Sequence, residues 1–408
     1  MKIIYLHQYF NTPNMPGFGT RSYEMARRLV QWGHEVEMIS TIRQGEETNA
    51  NDWRVTIESG IRVHWLSVPY SNSMSFKMRM RAFFKFAWKA SKRAASIDGD
   101  IILATSTPLT IAIPGLYASQ RKKIPMVFEV RDLWPEAPIQ LGVLRNPVLI
   151  RLARLLEKAA YRRSSHIIAL TPGMKAGVVG SGVPEEKISM IPNSSDLDVF
   201  SPDIDGSEFR RRFNLEKKFV LVYFGSHGEA NGLDFVLDAA SELKKRGENE
   251  VAFLLHGRGM RKQALIHRAE QEGLDNIVFS DEYLRKSEVA ELVASADVCM
   301  TIYKNVPILY TCSPNKMFDS FAAGKPVLTN MPGWLQSLVE DNRAGVFVPP
   351  DDPGVFADKV EFLKANPKAR EEFSRNSRRL AEERFSRDML ARELEMILCK
   401  AAGVPQVR

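Results

Sequence analysis

The sequence predicts an α/β protein with two doubly wound, Rossmann-like domains. Short apolar strands alternate with amphipathic helices up to about residue 190, an irregular stretch at 192–202 interrupts this pattern, and the alternation resumes at 219–225. Such alternation is typical of a parallel sheet with helices on both faces. At 408 residues the chain is also too long for a single hydrophobic core.

The first series forms the predicted N-terminal domain, residues 1–195. Its first strand leads into a loop rich in proline and glycine, after which Thr20 is placed to cap a helix that Gly33 ends. The later segments follow from apolar runs and helical periodicity. The series predicts strands at 2–7, 35–40, 61–68, 100–104, 125–130 and 166–170, and helices at 20–32, 75–95, 108–120 and 146–163.

The second series forms the predicted C-terminal domain, residues 196–380, and a final helical segment occupies 381–408. Ligands of doubly wound sheets bind beyond the carboxyl ends of the strands, so we expect a site in a cleft where the two domains face each other. The series predicts strands at 219–225, 251–256, 277–280, 298–302, 326–329 and 345–348, helices at 233–246, 261–272 and 286–295, and helix from 353 to 400.

The composition indicates an ordinary protein of a reducing compartment. The three cysteines have no close spacing, so neither a zinc site nor a disulfide framework is expected. His227 and His256 form no spaced metal cluster, and we expect no required metal or other cofactor. With no apolar stretch of about 18 residues and no secretion signal, the chain is expected to be cytoplasmic and not to span a membrane.

A short helix after the strand at 298–302 carries the first candidate site. Ser313 is placed to cap this helix, and Pro314 suits its first position. Lys316 and Asp319 then lie on one face. A helix start, a cation and a carboxylate on one side would suit a phosphorylated ligand with hydroxyl groups. A well-capped surface helix fits the spacing equally well.

Two glycine-rich turns follow neighbouring strands of the second domain. Ser226 and His227 lie in the first, and Arg258 and Lys262 lie in or after the second. Lys262 and Lys316 would then come from two loops at one sheet edge and could neutralise a diphosphate together. Because surface lysines are common, Lys262 alone would be weak evidence for a diphosphate site.

The first domain offers two further candidate sites. Gly17, Gly19, Thr20 and Arg21 lie between the first strand and helix, where glycines let a ligand approach and a guanidinium could fork onto phosphate; a structural turn is the alternative. The pair at 131–132 follows a buried strand directly, where charged groups face the expected cleft. These two residues, Arg131 and Asp132, could instead pair with each other.

The predicted helix at 75–95 is basic on one side. No acidic residue occurs from 59 to 97. An anionic membrane surface is the favoured partner, because about 1 kcal/mol per basic side chain would hold the helix there. A solvated face is the alternative, and nucleic acid is not expected, since no binding module accompanies the patch. The basic face contains Lys77, Arg81, Lys85, Lys89 and Lys92, the opposite face Phe76, Met80, Phe83, Phe84 and Ala87, and Trp88 lies near the border.

These motifs, in this order, resemble the family-4 retaining glycosyltransferases of the GT-B fold. The resemblance rests on 5–10 (YLHQYF), 19–24 (GTRSYE), 131–135 (RDLWP) and 191–193 (IPN). It is closest to bacterial O-antigen and capsule enzymes, in particular the N-acetyl-L-fucosamine transferases. It implies a UDP-sugar donor held by the C-terminal domain, an acceptor held by the N-terminal domain, and C-terminal helices that return to the N-terminal domain.

The resemblance also assigns roles to individual residues. It implies that Asp319 binds the donor ribose and Lys262 the diphosphate, with Lys316 suited to the same task. The expected catalytic residues are Asp132, Arg131, Lys262 and Lys316, and the expected donor-binding residues are Gly17, Gly19, Thr20, Arg21, Ser226, His227, Arg258, Lys262, Tyr283, Ser313, Asn315, Lys316 and Asp319.

The sequence departs from the family pattern in three ways. Thr311 stands where the first glutamate of the E-x7-E motif is usual, Arg131 replaces a histidine, and Ser226 and Asn231 replace a phosphate-binding arginine and lysine. The expected activity is transfer, with retention, of N-acetyl-L-fucosamine or a related N-acetylated deoxyhexose to a polyprenyl-diphosphate-linked saccharide at the inner leaflet. A GT-B epimerase and a non-catalytic nucleotide-sugar-binding protein remain alternatives.

Overall fold

The computed structural model describes residues 1–13, 15, 20–42, 53–68 and 74–406, apart from the side chain of Phe76. The chain forms two compact units. The first comprises Met1–Pro192, Thr311–Ser313 and Asp388–Arg408, and the second comprises Asn193–Tyr310 and Pro314–Arg387. The sequence placed the boundaries after residues 195 and 380 instead.

The first unit is built on a mainly parallel sheet. In chain order its elements are β1 Lys2–Leu6, α1 Arg21–Gln31, β2 Glu35–Ile42, β3 Trp53–Glu58, β4 Ile61–Ser67, α2 Phe76–Ser96, β5 Ile101–Thr105, α3 Ala112–Lys122, β6 Met126–Val130, α4 Glu136–Gln140, α5 Pro147–Arg163, β7 His166–Ala169, α6 Pro172–Gly180 and β8 Ile188–Met190. The strand order is β3-β4-β2-β1-β5-β6-β7-β8, and β3 pairs antiparallel with β4. The order reverses direction between β1 and β5, as in a doubly wound sheet.

The second unit repeats this plan. Its elements are α7 Ser207–Arg212, β9 Phe219–Phe224, α8 Asp234–Lys245, β10 Val251–His256, α9 Lys262–Gln271, β11 Ile277–Ser280, α10 Lys286–Ala294, β12 Val298–Thr301, α11 Asn315–Ala322, β13 Val327–Thr329, α12 Trp334–Glu340, β14 Gly345–Phe347, α13 Pro353–Ala365 and α14 Pro367–Arg384. The parallel strands have the order β11-β10-β9-β12-β13-β14. This order reverses between β9 and β12, so the crevice expected to hold a ligand lies at their carboxyl ends.

The last helix, α15 (Arg387–Ala402), packs on the first unit's sheet. Its Leu394 is buried with Leu29 of α1 on one face of that sheet. On the other face, Phe86 of α2, Ala118 of α3 and Tyr161 of α5 pack against the same strands. The central strands are therefore covered on both sides, which explains their nearly continuous apolar sequences.

Candidate functional site

The two turns that follow β9 and β10 pack against each other through their backbones. The amide of His227 donates to the Arg258 carbonyl over 2.9 Å. Gly257 has a φ of +141°, and a Cβ there would lie 1.8 Å from the Gly225 carbonyl oxygen. A Cβ on Gly259 would lie 2.4 Å from the His227 carbonyl group. Glycine is required at both positions, because the loops could not otherwise approach so closely.

Lys316 points from the first turn of α11 toward this pair of turns. A Cβ on Gly225 would lie 3.1 Å from its amine nitrogen, Nζ. The residue is 8% exposed, and within the described residues Nζ has no hydrogen-bond partner. Burial lowers the pKa of Lys316 to about 7. An unpaired buried amine is costly, so this edge of the sheet is suited to an anionic ligand.

Two tyrosines line the Lys316 amine. Nζ lies 3.7 Å from the centroid of the Tyr223 ring and 5.5 Å from that of Tyr303. The Tyr223 hydroxyl donates to the Ser226 carbonyl over 2.8 Å and so holds the turn after β9. The sequence did not identify either tyrosine as a site residue. For Tyr223 the available signal was its place near the end of β9, beside the reversal of strand order.

Lys262 lies in the first turn of α9, on the second of the two loops. It is 6% exposed, and its Nζ donates to the Gly257 carbonyl over 3.1 Å and lies 3.5 Å from the Asp281 carboxylate. Burial lowers the pKa of Lys262, and the charge of Asp281 partly offsets this effect.

His227 lies beside Lys262 and packs on Tyr223. Burial, together with the charge of Lys262, lowers the pKa of His227 to about 4. The imidazole is therefore neutral between two lysines.

The other predicted donor-binding residues of the second unit are more open. The side chains of Ser226 and Arg258 are exposed on the two turns, and Arg258 Nε donates to the Asp281 carbonyl over 2.7 Å. Tyr283 is 48% exposed. Asn315 is half-buried at the start of α11. Because α11 begins at Asn315, Pro314 precedes the helix rather than opening it as predicted.

Asp319 lies one turn beyond Lys316 on α11. Burial raises its pKa to about 6, and the nearby charge of Arg387 opposes this rise. Arg387 also lies 3.2 Å from Asp196, which Lys286 contacts as well. The positive charges of Arg387 and Lys286 limit this rise. With a pKa of about 6, the carboxyl group of Asp319 is mostly ionised at neutral pH.

Arg21 does not have the predicted role. It is 2% exposed, its Nη2 donates to Glu129 over 2.8 Å, and its Nη1 donates to the Pro192 carbonyl over 2.6 Å. Burial would raise the pKa of Glu129, but Arg21 and other partners hold it below its ordinary value. The guanidinium thus ties α1 to β6 and the end of the first unit, which corrects the predicted phosphate contact.

Gly17, Gly19 and Thr20 are the other residues of the predicted glycine loop. Gly17 and Gly19 lie outside the described residues. Thr20 precedes α1, but its side chain makes no capping hydrogen bond. Thr20 therefore lies at the predicted N-cap position but does not cap the helix with its side chain. That this loop approaches the donor remains a prediction.

Arg131 and Asp132 lie at the carboxyl ends of β1, β5 and β6. The Arg131 amide donates to Ser106 Oγ over 3.0 Å, and its guanidinium lies 3.4 Å from Nε2 of His7. Burial raises the pKa of Asp132 to about 6, and the charge of Arg131 opposes the rise. The sequence did not select His7, although it follows β1 directly, as Arg131 follows β6.

Residues 311–313 belong to the first unit. The hydroxyl of Thr171, which caps α6, donates to the Thr311 carbonyl over 2.7 Å. A Cβ on Gly173 would lie 3.0 Å from the Thr311 side chain. Ser313 is buried. Thr311 therefore packs on the start of α6. The chain has no carboxylate at the position where the family pattern has its first glutamate.

The basic helix α2 is present, capped by Ser75. Lys77 and Arg81 are exposed, and Lys85 and Lys89 are half-buried. Trp88 is 64% exposed, with the Lys92 amine 4.9 Å from its ring centroid. Phe84, predicted to face the core, is instead 52% exposed, because the core side is centred on Ala82, Phe86 and Ala90.

Two absences concern the described part of the chain. No helix there is long and apolar enough to cross a bilayer. Within the same ranges, no group of three or more His, Cys, Asp and Glu side chains is placed to hold a metal ion. The expectation of metal-independent activity stays a prediction.

Solved structures share the whole fold. Sucrose-phosphate synthase from Thermosynechococcus elongatus superposes with a TM-score of 0.80 over 98% of each chain, at 16% identity. Anabaena Alr3699/HepE, in complex with UDP-glucose, superposes with a TM-score of 0.72 over 98% of this chain and 100% of its own, at 19% identity. The predicted fold class, two Rossmann-like domains of the GT-B type, is confirmed.

The fold and two family matches define a glycosyltransferase. Residues 17–194 match the "Glycosyl transferase 4-like domain" and residues 218–366 match "Glycosyl transferases group 1". Together these segments cover more than half of the chain, which therefore belongs to the glycosyltransferases that combine these two domains.

One curated relative illustrates this family. The putative colanic acid biosynthesis glycosyl transferase WcaI of Escherichia coli K12 is 25% identical over 66% of this chain and 69% of its own length. The matches to three further curated relatives cover 60%, 52% and 60% of those relatives' lengths.

Proposed function

We propose that this glycosyltransferase moves a sugar from a UDP-sugar to a polyprenyl-diphosphate-linked saccharide, with retention of configuration. The observation that carries the donor assignment is the buried, unpartnered Lys316 amine beside the turn after β9. An amine left without an acceptor at the crevice of a doubly wound sheet is best explained by an anionic ligand. Lys262, on the neighbouring loop, supplies a second cation.

The donor diphosphate is proposed to lie between Lys316 and Lys262. His227, neutral between them, would shape the site without adding charge. Asp319, one turn along α11, would accept hydrogen bonds from the ribose hydroxyls in its ionised form. UDP is supported over GDP by the family resemblance and by the UDP-glucose complex of Alr3699/HepE, a protein of the same fold.

The chemistry proposed needs no strong protein base. In same-face attack, the departing diphosphate oxygen accepts the proton of the attacking hydroxyl. The contribution of the protein is then to stabilise the charge that develops on the leaving group, through preorganised cations. Arg131 and Asp132 are proposed to orient the acceptor hydroxyl. Because the lysines supply the positive charge, turnover should be unchanged in EDTA.

The sugar is proposed to be N-acetyl-L-fucosamine or a related N-acetylated deoxyhexose, and the product an O-antigen or capsule unit. This proposal rests on the sequence resemblance and on the polysaccharide role in the name of the WcaI relative. Thr311 leaves the usual sugar-binding position without a carboxylate. A donor with fewer free hydroxyls, such as an N-acetylated deoxy sugar, would need fewer hydrogen-bond acceptors at that position.

A donor screen tests the proposed activity directly. The purified protein is incubated with UDP- and GDP-sugars, and its melting temperature is compared with that of the free protein, because a bound donor stabilises by mass action. We expect stabilisation by UDP-sugars and slow release of UDP without acceptor, also in EDTA. An epimerised donor would instead identify an epimerase, and binding with no turnover for any acceptor a non-catalytic protein.

The acceptor lipid implies a place of action. We propose that the protein attaches peripherally, through the basic side of α2, to the anionic inner leaflet where such acceptors lie. Exposed Phe84 and Trp88 between basic side chains support this proposal, since apolar rings and cations together suit the interfacial region of a bilayer. Nucleic acid is not proposed as a partner.

A further inference from the structure

The helix α5 has an apolar ridge on its solvent side. Val148 is 64% exposed, and Leu152 and Leu155 are each 56% exposed. They lie at i, i+4 and i+7, which places them on one side of a helix. The buried residues of α5, Ala160 and Tyr161, lie on the opposite side, against the sheet. A helix on a protein surface normally presents polar residues outward, so this ridge requires another explanation.

Basic side chains border the ridge. At about 100° per residue, Arg151, Lys158 and Arg162 lie along one side of it and Arg163 along the other. All four are exposed. The acid of this helix, Glu157, lies about half a turn away from the ridge, and burial raises its pKa to about 7. The ridge with these four residues, called the α5 surface below, is therefore apolar at its centre and cationic at its edges.

The α5 surface lies on the same side of the first unit's sheet as α2. Side chains of α2, α3 and α5 pack into one core against that side of the sheet. The helix α3 contacts both of the others, and its Tyr117 is 48% exposed. The outer sides of α2 and α5 thus belong to a single helical layer, and both combine exposed apolar groups with cations.

We propose that the α5 surface is a second membrane contact, which inserts its ridge into an anionic bilayer while its arginine and lysine side chains reach the lipid phosphates. The proposal rests on the proposed attachment of the protein through α2. Long cationic side chains suit this position because their stems are apolar and their charged ends reach polar groups. A second copy of the chain fits poorly, since it would place Arg151, Lys158 and Arg162 against the same cations.

The test is co-sedimentation of the full chain with vesicles that contain phosphatidylglycerol, compared with phosphatidylcholine alone. The variant Val148→Ser/Leu152→Ser/Leu155→Ser keeps every charge and alters exposed positions only. We expect its partition onto anionic vesicles to fall about tenfold or more, because apolar insertion contributes alongside charge. The matched control, Phe362→Ser/Met396→Ser, removes apolar groups that are 43% and 49% exposed elsewhere and should bind as the parent does.

The outcomes separate this inference from the others. Binding of the triple variant equal to that of the parent overturns the α5 contact and leaves attachment through α2 intact. A parent chain that ignores anionic vesicles overturns both membrane proposals, while UDP release, measured without lipid, still tests the transferase. Sedimentation velocity of the parent and the triple variant tests whether the ridge instead binds a second copy of the chain. A dimer that the triple variant loses would assign the ridge to a second copy.

Discussion

The amine nitrogen of Lys316 lies 3.7 Å from the centroid of the Tyr223 ring, and no hydrogen-bond acceptor reaches it within the described residues. A cation–π contact contributes about 0.5–2 kcal/mol, which is less than the several kcal/mol that a buried ion loses on leaving water. The lowered pKa of about 7 expresses this deficit. The free protein therefore holds a cation that a bound anion would stabilise.

Replacement of this amine should separate activity from stability. Lys316→Met keeps the side-chain length but removes the charge, so it should lower turnover about 100-fold, or ~3 kcal/mol of transition-state stabilisation. The free energy of unfolding of the free protein should stay equal or rise, because the variant no longer buries an unpaired amine. UDP release and urea unfolding measure the two quantities.

Lys325 is the matched control for that variant. It follows the end of α11, and its Nζ donates to the carbonyls of Ala294 and Ala296 over 2.7 and 2.9 Å. Lys325→Met should cost about 1–3 kcal/mol of stability, because two acceptors lose their partner, while turnover per folded molecule stays unchanged. If the two variants lose activity equally, the diphosphate role of Lys316 is wrong.

The pKa values of Lys316 and Asp319 predict a bell-shaped dependence of donor binding on pH. The pKa of Asp319 is about 6, so UDP affinity should rise as the pH passes 6 and this carboxyl group ionises. The pKa of Lys316 is about 7, so affinity should fall above pH 7 as the amine loses its proton. Calorimetric titration of UDP from pH 5 to 9 measures both limbs, and Lys316→Met should lose the alkaline one.

The same lysine predicts how stability depends on pH. Its pKa is lowered from 10.5 to about 7 in the folded protein. Between these values the unfolded chain binds the proton and the folded chain does not, so stability rises with pH in this window. The parent should therefore gain stability relative to Lys316→Met between pH 7 and 10. A difference in unfolding free energy that stays constant over this range would show that the folded protein keeps the amine protonated up to pH 10, so that its pKa is not lowered.

Much of the fold followed from local sequence patterns, and two of the elements that were missed have local causes. The edge strand β3 was missed because it is half exposed and has no continuous apolar run, although the alternation of apolar residues with Arg54 and Thr56 is itself a strand pattern. The helix α6 was missed because Gly173, Gly177 and Gly180 lower its helical propensity. Lys262 could be selected because it follows a strand and a glycine-rich turn.

The role of Arg21 could not be predicted in the same way. Its partner Glu129 is 108 residues away in sequence, and one sequence does not reveal a pairing over that distance. The exposure of Phe84 could not be predicted either, because the packing of small residues of α2 against the sheet determines which side of this helix is buried. Local motifs identified candidate site residues, whereas tertiary contacts decided which of them are exposed, buried or paired.

The buried pair of Arg21 and Glu129 is predicted to be structural. Arg21→Met should cost about 3–5 kcal/mol of stability, because it leaves the Glu129 carboxylate buried without its main partner. Arg21→Met/Glu129→Leu should recover much of this loss, since no unpaired charge remains. Urea unfolding measures both effects. UDP affinity of the folded double variant should match the parent, and a loss of more than about tenfold would restore the phosphate role of Arg21.

The basic side of α2 is predicted to hold the protein on anionic vesicles. Changing Lys77, Arg81, Lys85 and Lys89 to glutamine removes about 1 kcal/mol of attraction per residue near the surface, so partition should fall several-hundred-fold at low salt. The control changes four exposed basic residues of the second unit to glutamine, namely Lys217, Lys245, Lys368 and Arg375. Both variants have the same net charge. Equal loss of binding in the two would mean that overall charge, and not α2, directs the protein to the membrane.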